Sequence, residues 1–410
     1  MDVNTKFMAE QSIFGEENIQ SENKQYNTLN LGPTHPATHG VFQNILQMDG
    51  EIIMSSEATI GYIHRAFEKL AEHRPFYQVT PITDRLNYCS SPINNIGWHL
   101  TVEKLLGVET PKKVDYMRVI VMELSRIADH IVCNTVIGVD TGALTGFTYM
   151  FQERERIYDI FEQMCGARLT TNIGRIGGFE RDFSAKTIQM IRDFLSGFPK
   201  RFDEFEGMLL RNRIFMDRII NVGPISGERA LEYSFSGPNL RAAGVDYDVR
   251  VMNPYCSYND FDFTIPVGTS GDTYDRFCVR QAEIRESLKI IEAALNNMPE
   301  GKFVADCPEF YLPAKKDVYS SMEALIWHFK IVMGEVDLPK GEVYHSVEGG
   351  NGEVGYYLIS DGGRTPYRLH FRRPCFIYYQ AYPEMIKGSM LSDAILTMSS
   401  MNVIAGELDA

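Results

Sequence analysis

The middle of the chain alternates apolar and polar residues with the period of an α-helix. From Val114 to Ile131, apolar side chains recur every three or four positions, with charged residues between them. A similar pattern runs through residues 147–164, Ser184 is placed to cap a third helix, and a long charged helix is predicted from about Asp272 to Asn297. The run from Ser320 to Glu323 matches a capping box that opens a fifth helix. These helices are long enough to pack as a bundle.

Strand patterns lie at both ends of this helical centre. The Asp49-Gly50 pair between two apolar runs is typical of a hairpin turn, and glycine-rich turns separate the apolar runs after Gly341. The predicted strands are residues 26–31, 41–48, 51–55, 342–347, 353–360 and 367–371. A last helix is predicted from about Ser389 to Met401. The runs indicate a small antiparallel unit before the bundle and a β-meander set against it.

These elements predict an α+β fold that is mainly α. No internal repeat and no Pro/Gly/Ser-rich linker interrupts the chain, so we expect the units to form one body with shared interfaces. The predicted organisation is a flexible N-terminal arm (1–25), an N-terminal β unit with a histidine-containing loop (26–90), a central helical bundle (91–340) and a C-terminal β-meander with a helix (341–410).

Charge and hydropathy exclude several classes of partner. The 410 residues include 40 Lys and Arg against 54 Asp and Glu, a net charge of −14, whereas a nucleic-acid-binding protein needs a basic face. No stretch supplies the roughly 20 apolar residues of a membrane-spanning helix. The N-terminus lacks the basic-then-apolar order of a signal peptide. We therefore expect a cytoplasmic chain that binds no nucleic acid and can still associate with a membrane protein.

The cysteines are too scattered for paired chemistry. They stand at positions 89, 133, 165, 256, 278, 307 and 375, and no two form a CxxC. The odd count and the wide spacing argue against a disulfide framework, and no thiolate pair is available to hold a metal.

The first candidate site is the loop GPTHPATHG (32–40), which contains His35 and His39. Two imidazoles suggest a metal, but a convincing site needs three or four ligands and none is nearby in sequence. A proton donor is the better functional interpretation, because histidine titrates near neutral pH. A turn whose histidines cap backbone groups fits the spacing equally well.

Two further candidates each contain a residue type that chemistry could use. In DRLNY (84–88), Tyr88 could donate its hydroxyl to a carbonyl oxygen and Arg85 could face an anionic centre; a solvated turn is the alternative. Asp140 lies in an apolar run, where a carboxylate is costly unless it is paired. It could be the partner of a histidine, or it could cap the following helix.

The fourth candidate is the glycine-rich run NIGRIGG (172–178) around Arg175. It lacks the Lys-Ser/Thr of a Walker motif. No GxGxxG fingerprint occurs anywhere in the chain, so we do not expect direct binding of NADH.

Ten collinear segments between residues 26 and 410 resemble one protein family. They are GPTHPATHG, GYIHRAFEKLAEHR, DRLNY, RVIVMELSRIADH, VDTGALTGFTYMFQERERIYDIFEQMCGAR, NIGRIGG, GVDYDVR, SMEALIWHFK, PKGEVY and GYYLISDGGRTPYRL. The chain is similar to the D subunits of NADH-quinone oxidoreductase (respiratory complex I), which are homologous to the large subunit of nickel-iron hydrogenases. The resemblance implies a hydrogenase-large-subunit-like bundle in the peripheral arm of a proton-translocating enzyme, on the cytoplasmic side of the cell membrane.

The resemblance also implies roles for single residues. His39 and Tyr88 match the catalytic groups that bind the quinone headgroup, and Asp140 matches the carboxylate paired with that histidine. His39 and Tyr88 could donate hydrogen bonds and protons to the developing quinol oxygens. Arg85 and Arg175 match the arginines beside the terminal 4Fe-4S cluster, whose added negative charge they would stabilise.

In this family the redox cofactors belong to partner chains. The terminal cluster is held by the B subunit, which shares the quinone chamber, while FMN and the other Fe-S clusters pass electrons from NADH in other subunits. The C and membrane-arm subunits are further expected partners. This chain is expected to hold no metal or cofactor of its own, because the two CxxC pairs that bind nickel in hydrogenases are absent: the early position reads RLNY (85–88), and no cysteine follows Cys375.

Four positions depart from the family pattern: Ala66, Asn87, Thr170 and Ala410 replace the usual Gly, Asp, His and Arg. In many members the histidine at the Thr170 position donates to the terminal cluster. Its loss predicts a lower, pH-independent cluster potential, suited to a low-potential acceptor such as menaquinone. Two alternatives stay open, namely a complex fed by ferredoxin or another donor and a non-catalytic hydrogenase-like scaffold.

Overall fold

The computed structural model describes residues 26–35 and 41–410. Its first element is an antiparallel sheet in the order β1-β2-β3. The strands are β1 (Asn27–Leu31), β2 (Gln43–Asp49) and β3 (Ile52–Thr59). The turn between β2 and β3 is Gly50-Glu51, one residue later than the predicted Asp49-Gly50, and Gly50 has the positive φ of 65° that the turn requires. The predicted N-terminal hairpin is confirmed.

Helices dominate the middle of the chain. They are α1 (Phe67–Glu72), α2 (Thr80–Thr83), α3 (Ser91–Leu106), α4 (Lys112–Asp140), α5 (Leu144–Cys165), α6 (Ala185–Leu210), α7 (Arg213–Ile219), α8 (Gly227–Glu232), α9 (Gly237–Ala242), α10 (Val249–Met252), α11 (Thr273–Asn297), α12 (Lys315–Val318) and α13 (Met322–Met333). Helix α4 is the axis of the bundle, because α3, α5, α11 and a C-terminal helix surround it. Its central turns are buried on every side, polar residues included. The predicted bundle is confirmed.

Three strands and four helices follow the bundle in the part of the chain that the structure describes. They are β6 (Gly341–Glu348), β7 (Glu353–Ser360), β8 (Arg368–Arg372), α14 (Pro374–Tyr379), α15 (Tyr382–Ile386), α16 (Leu391–Met401) and α17 (Ala405–Leu408). The strands form the predicted antiparallel meander, and α3 packs against β6 and β7. Helix α15 packs against β3, so the N-terminal sheet shares a second hydrophobic core with the C-terminal helices.

Buried charges join the bundle to the C-terminal sheet. Arg126 of α4 donates to the backbone oxygens of Gly349 and Glu348 at 2.9 and 2.8 Å. Its Nε lies 3.2 Å from Glu123, which also accepts from Arg250. Because a buried charge is costly unless it is paired and hydrogen-bonded, these contacts restrict how the hairpin of β6 and β7 can sit on α4.

The structure corrects local details of the sequence interpretation. The cap of α13 is Ser321 rather than Ser320, because Ser321 has extended backbone and its Oγ accepts from the Ala324 N–H. Asp140 does not cap α5: the apolar run continues α4 as far as Asp140, and α5 is preceded by Ala143. Within the glycine-rich run, β4 (Gly174–Arg175) and β5 (Gly178–Phe179) form a short hairpin.

Candidate functional site

A cavity of about 680 Å³ lies beside the C-terminal half of α4, and this volume is typical of small-molecule sites. Helices α4, α5 and α16 supply its mainly apolar wall: Val132, Val136, Val139, Leu144, Phe147 and Ile395. Tyr88 enters from the turn before α3, Asp140 from the end of α4, and Asn402 from the segment after α16. His35 of the predicted loop also faces the cavity. Apolar walls with a few convergent polar groups suit a flat, hydrophobic ligand that has polar ends.

Tyr88 is held by the residue before it. Asn87 Oδ1 accepts from the Cys89 N–H at 3.1 Å, and this contact caps the short helical turn that carries Tyr88. The turn is only partly solvated: Asp84 and Asn87 are each 2 % exposed, whereas Arg85 and Tyr88 lie at the surface, with Tyr88 36 % exposed. Burial raises the pKa of Tyr88 to about 12, so its phenol stays protonated at neutral pH and remains a hydrogen-bond donor.

Asp140 faces the same cavity from the last position of α4. Ser399 Oγ of α16 donates a hydrogen bond to Asp140 Oδ2. A carboxylate at the C-terminus of a helix lies at the negative end of the helix dipole, so nearby donors and cations stabilise it. The structure brings Tyr88 and Asp140 together at this cavity. The predicted partner, His39, lies outside the described residues, so its pairing with Asp140 stays a prediction.

The residues predicted to lie near an iron–sulfur cluster form a separate face. Arg85 Nη1 lies 3.9 Å from Asp84 Oδ2, and Arg175 Nη2 lies 2.7 Å from a Glu180 carboxylate oxygen. Both guanidinium groups are more than a third exposed, and both act electrostatically on the buried Asp84 carboxyl. Burial nevertheless raises the pKa of Asp84 to about 6. Two partly exposed cations on one face suit contact with an anionic group in another chain.

Thr170 lies next to Thr171, whose backbone is hydrogen-bonded to the face that carries Arg85 and Arg175. It has a φ of 52°, in the left-handed region that a β-branched residue rarely adopts, and its Oγ1 donates to Leu169 O at 2.7 Å. The next residue, Thr171, accepts from Asn95 Nδ2, which also donates to Asp84 at 2.6 Å. Thr170 is therefore linked through the backbone to the face that carries Arg85.

Sequence reasoning missed several residues around the cavity. Arg154 lines it and stacks over the rings of Phe151 and Tyr158, with 5.0 and 4.7 Å between its guanidinium carbon and the ring centroids. Asn402 lines it as well and donates to the buried Asp129. Asp129 falls between apolar positions of a predicted helix, a place typical of an ordinary polar residue. Asp129 could have been identified if the sequence had shown that the central turns of its helix are buried on every side, because a carboxylate there must have a partner.

The described part of the chain contains neither a metal-ligand cluster nor a membrane-spanning helix. Across 26–35 and 41–410, no three His, Cys, Asp or Glu side chains converge in a way that could hold a metal ion. Within the same residues, no helix is both long enough and apolar enough to cross a bilayer.

Comparison with known proteins gives a consistent result. Residues 140–410 match the family model described as respiratory-chain NADH dehydrogenase, 49 kDa subunit. The chain is 69 % identical to the D 2 subunit of NADH-quinone oxidoreductase from Cytophaga hutchinsonii, covering 95 % of this chain and 100 % of that protein. It is 68 % identical to the D subunit of the same enzyme from Flavobacterium johnsoniae, covering 96 % of each chain. It is 49 % identical to the C/D subunit from Bdellovibrio bacteriovorus, covering 94 % of this chain and 69 % of that longer protein.

Proposed function

This chain belongs to the 49 kDa subunit family of respiratory-chain NADH dehydrogenase, and we propose that it forms one wall of a chamber in which quinone is reduced. The observation that carries the proposal is the cavity that Tyr88 and Asp140 both line, together with apolar residues of α4, α5 and α16. The other wall belongs to the B subunit. Electrons from NADH pass through FMN and Fe-S clusters of partner subunits, and the terminal 4Fe-4S cluster supplies them to the quinone.

Residues at the cavity can donate hydrogen bonds that stabilise the quinol, the reduced and protonated form of the quinone. Reduction of a quinone needs two electrons and two protons, and negative charge develops on the two oxygens as the electrons arrive. Tyr88 donates a hydrogen bond to one oxygen, and its high pKa keeps the donor proton in place. His39 is the proposed donor to the other oxygen, and the Asp140 carboxylate stabilises the charged form of that imidazole.

The face that carries Arg85 and Arg175 is the proposed contact with the subunit that delivers electrons. Arg85 and Arg175 would lie against the B subunit, where their charge stabilises the cluster after it gains an electron. The C and membrane-arm subunits are the further proposed partners; a relative in Bdellovibrio bacteriovorus is named as a joined C/D subunit. Attachment to the membrane on its cytoplasmic side would follow from these partners.

Two substitutions in the purified complex test the proposal. Tyr88→Phe and His39→Ala should each lower NADH:quinone reductase activity at least about tenfold, because one donor to the quinone oxygens is lost. Electron transfer from NADH to an artificial acceptor upstream of the quinone should stay normal. Tyr357→Phe is the matched control, because the Tyr357 hydroxyl contacts Glu342 on the protein surface. Full quinone reduction in a normally assembled Tyr88→Phe complex would favour the non-catalytic scaffold instead.

The quinone species and the electron donor need separate experiments. We propose that Thr170 leaves the terminal cluster without an imidazole donor, so that its potential is low, independent of pH and matched to menaquinone. Redox titration at several pH values should then show a low midpoint that Thr170→His raises and makes pH-dependent; a high, pH-dependent midpoint in the unaltered complex would refute this. Identifying the subunits and the quinone that co-purify decides between NADH and ferredoxin as donor.

A further inference from the structure

A buried polar cluster lies directly behind the wall that Tyr88 and Asn402 form. Asp129 Oδ2 accepts from Asn87 Nδ2 at 2.7 Å, and Asp129 Oδ1 accepts from Asn402 Nδ2 at 3.0 Å. Asn87 immediately precedes Tyr88, and Asn402 lines the cavity. Asp129 itself is fully buried, and Gly350 packs so closely on its carboxylate that a Cβ there would overlap it. Asp129 is therefore connected to the cavity by two routes. One runs directly through Asn402, and the other runs through Asn87 to the neighbouring Tyr88.

The cluster continues to a second carboxyl group, that of Glu407. Asn402 Nδ2 also donates to Asn351 Oδ1 at 2.5 Å, and Asn351 Nδ2 reaches Glu407 Oε2 at 3.4 Å. The Cys375 thiol donates to Glu407 Oε2 at 3.2 Å, and the Cys375 N–H donates to Oε1 at 3.0 Å. Glu407 is only 1 % exposed. Two asparagine side chains thus connect two buried carboxyl groups.

Among the described residues, no cation donates a hydrogen bond to either carboxyl group. Within the described residues, every hydrogen bond to Asp129 or Glu407 comes from an amide, a thiol or a backbone N–H. Two carboxylates in a low-dielectric interior repel each other, so ionisation of both is costly. Burial raises the pKa of Glu407 to about 7, and the charge on Asp129 adds to the rise.

Other titratable groups near Glu407 come from the elements packed around it. They are Cys375 and Tyr378 of α14, Arg373 just before that helix, Tyr356 of β7 and Asp129 of α4. The thiol and both phenols have raised pKa values because they are buried, so they stay neutral near pH 7. Arg373 is the charged group that partly offsets the repulsion, and it acts without a hydrogen bond to Glu407. With its pKa raised to about 7, Glu407 can change charge near neutral pH.

We propose that Asp129 and Glu407 form a coupled carboxyl pair behind the quinone site, in which Glu407 is the group that takes up and releases a proton. Asp129 accepts the hydrogen bond from Asn87 and thereby positions Tyr88, the next residue. Glu407 binds a proton from water when negative charge enters the cavity and returns it to water when the neutral quinol has formed. The step is the reversible protonation of a carboxylate, in addition to the two protons that the quinol itself retains. The inference rests on the proposed quinone chamber.

The first test uses Glu407→Gln in the intact complex. We expect the ionisation near pH 7 to disappear from the pH profile of kcat, and a protonated-carboxyl band to disappear from the redox-difference infrared spectrum. Glu342→Gln, which changes an exposed glutamate on β6, should alter neither. If Glu407→Gln leaves both the profile and the spectrum unchanged, the pair does not hold the proton. If Tyr88→Phe also leaves quinone reduction unchanged, the proposed chamber fails as well, so the two failures are distinguishable.

A charge exchange supplies a second test that does not depend on Glu407. Asn87→Asp alone would place two carboxylates at the 2.7 Å contact, so we expect kcat to fall at least about tenfold. Adding Asp129→Asn restores one carboxylate and one amide in that contact, and most of the lost activity should return. Equal activity in the single and double variants, with both complexes assembled, would show that the charge behind Tyr88 has no positioning role.

Discussion

Replacing Gly406 by alanine tests whether the segment after α16 holds the Tyr88 turn in place. A Cβ at Gly406 would lie 2.8 Å from Leu86 O and nearer still to Arg85 O, and both are backbone atoms. Ordinary van der Waals contact begins near 3.4 Å, so the turn must move by about 0.6 Å or more. Overpacking of this kind costs about 1–3 kcal/mol. A displacement near 1 Å at a reacting group can lower a rate by about 100-fold.

The assay is steady-state quinone reduction by the assembled complex, with kcat and KM measured separately. We expect Gly406→Ala to lower kcat by about 10- to 100-fold while the complex still assembles. Gly207→Ala is the matched control: the nearest atom to its Cβ is 3.9 Å away, and the residue lies within α6, where alanine is the better helix former. An unchanged kcat in Gly406→Ala would refute the idea that this contact positions Tyr88.

Two further predictions concern stability. Arg126→Ala should cost about 3–5 kcal/mol of folding free energy, because Glu123 and the backbone oxygens of Gly349 and Glu348 lose a buried cation. We expect a lower Tm and a lower yield of assembled complex. An unchanged Tm would contradict the prediction. Asp84→Asn should change the pH dependence of stability. Because burial raises the pKa of Asp84 to about 6, the folded state binds its proton more tightly than the unfolded state does, and stability should fall by up to about 3 kcal/mol as the pH rises from 4 to 6. When Tm is measured from pH 4 to 6, the decrease caused by Asp84 should be missing in the variant. A pH profile of Tm that matches the unaltered protein would contradict the prediction.

Local patterns predicted the secondary structure well, because they depend on neighbouring residues. The period of α4, the Ser184 cap of α6 and the turn at Gly50 each lie within a few positions of the residues that specify them. The errors occurred where two local solutions compete. Ser320 and Ser321 can both cap a helix, and the apolar run before Asp140 fits the end of one helix as well as the approach to the next.

The candidate site was only partly visible in the chain. Tyr88 and Asp140 were candidates by residue type and family motifs assigned their roles, whereas nothing in their spacing showed that they share a cavity. Asp129 and Glu407 were missed, because a polar residue between apolar ones usually faces solvent on one side of a helix. The central turns of helix α4, where Asp129 lies, are buried on every side because other elements surround them.

By itself, then, the sequence determined a mainly helical bundle between two small sheets, with no paired cysteines. Only the tertiary structure decided which distant side chains meet. Asp129 and Asn402 stand 273 positions apart, and Ser399 and Asp140 stand 259 apart, yet each pair is hydrogen-bonded. The physical reason is that periodicity specifies which face of each element is apolar. The packing of α16 on α4 then sets which polar groups are buried together, and therefore where a carboxyl group can hold a proton.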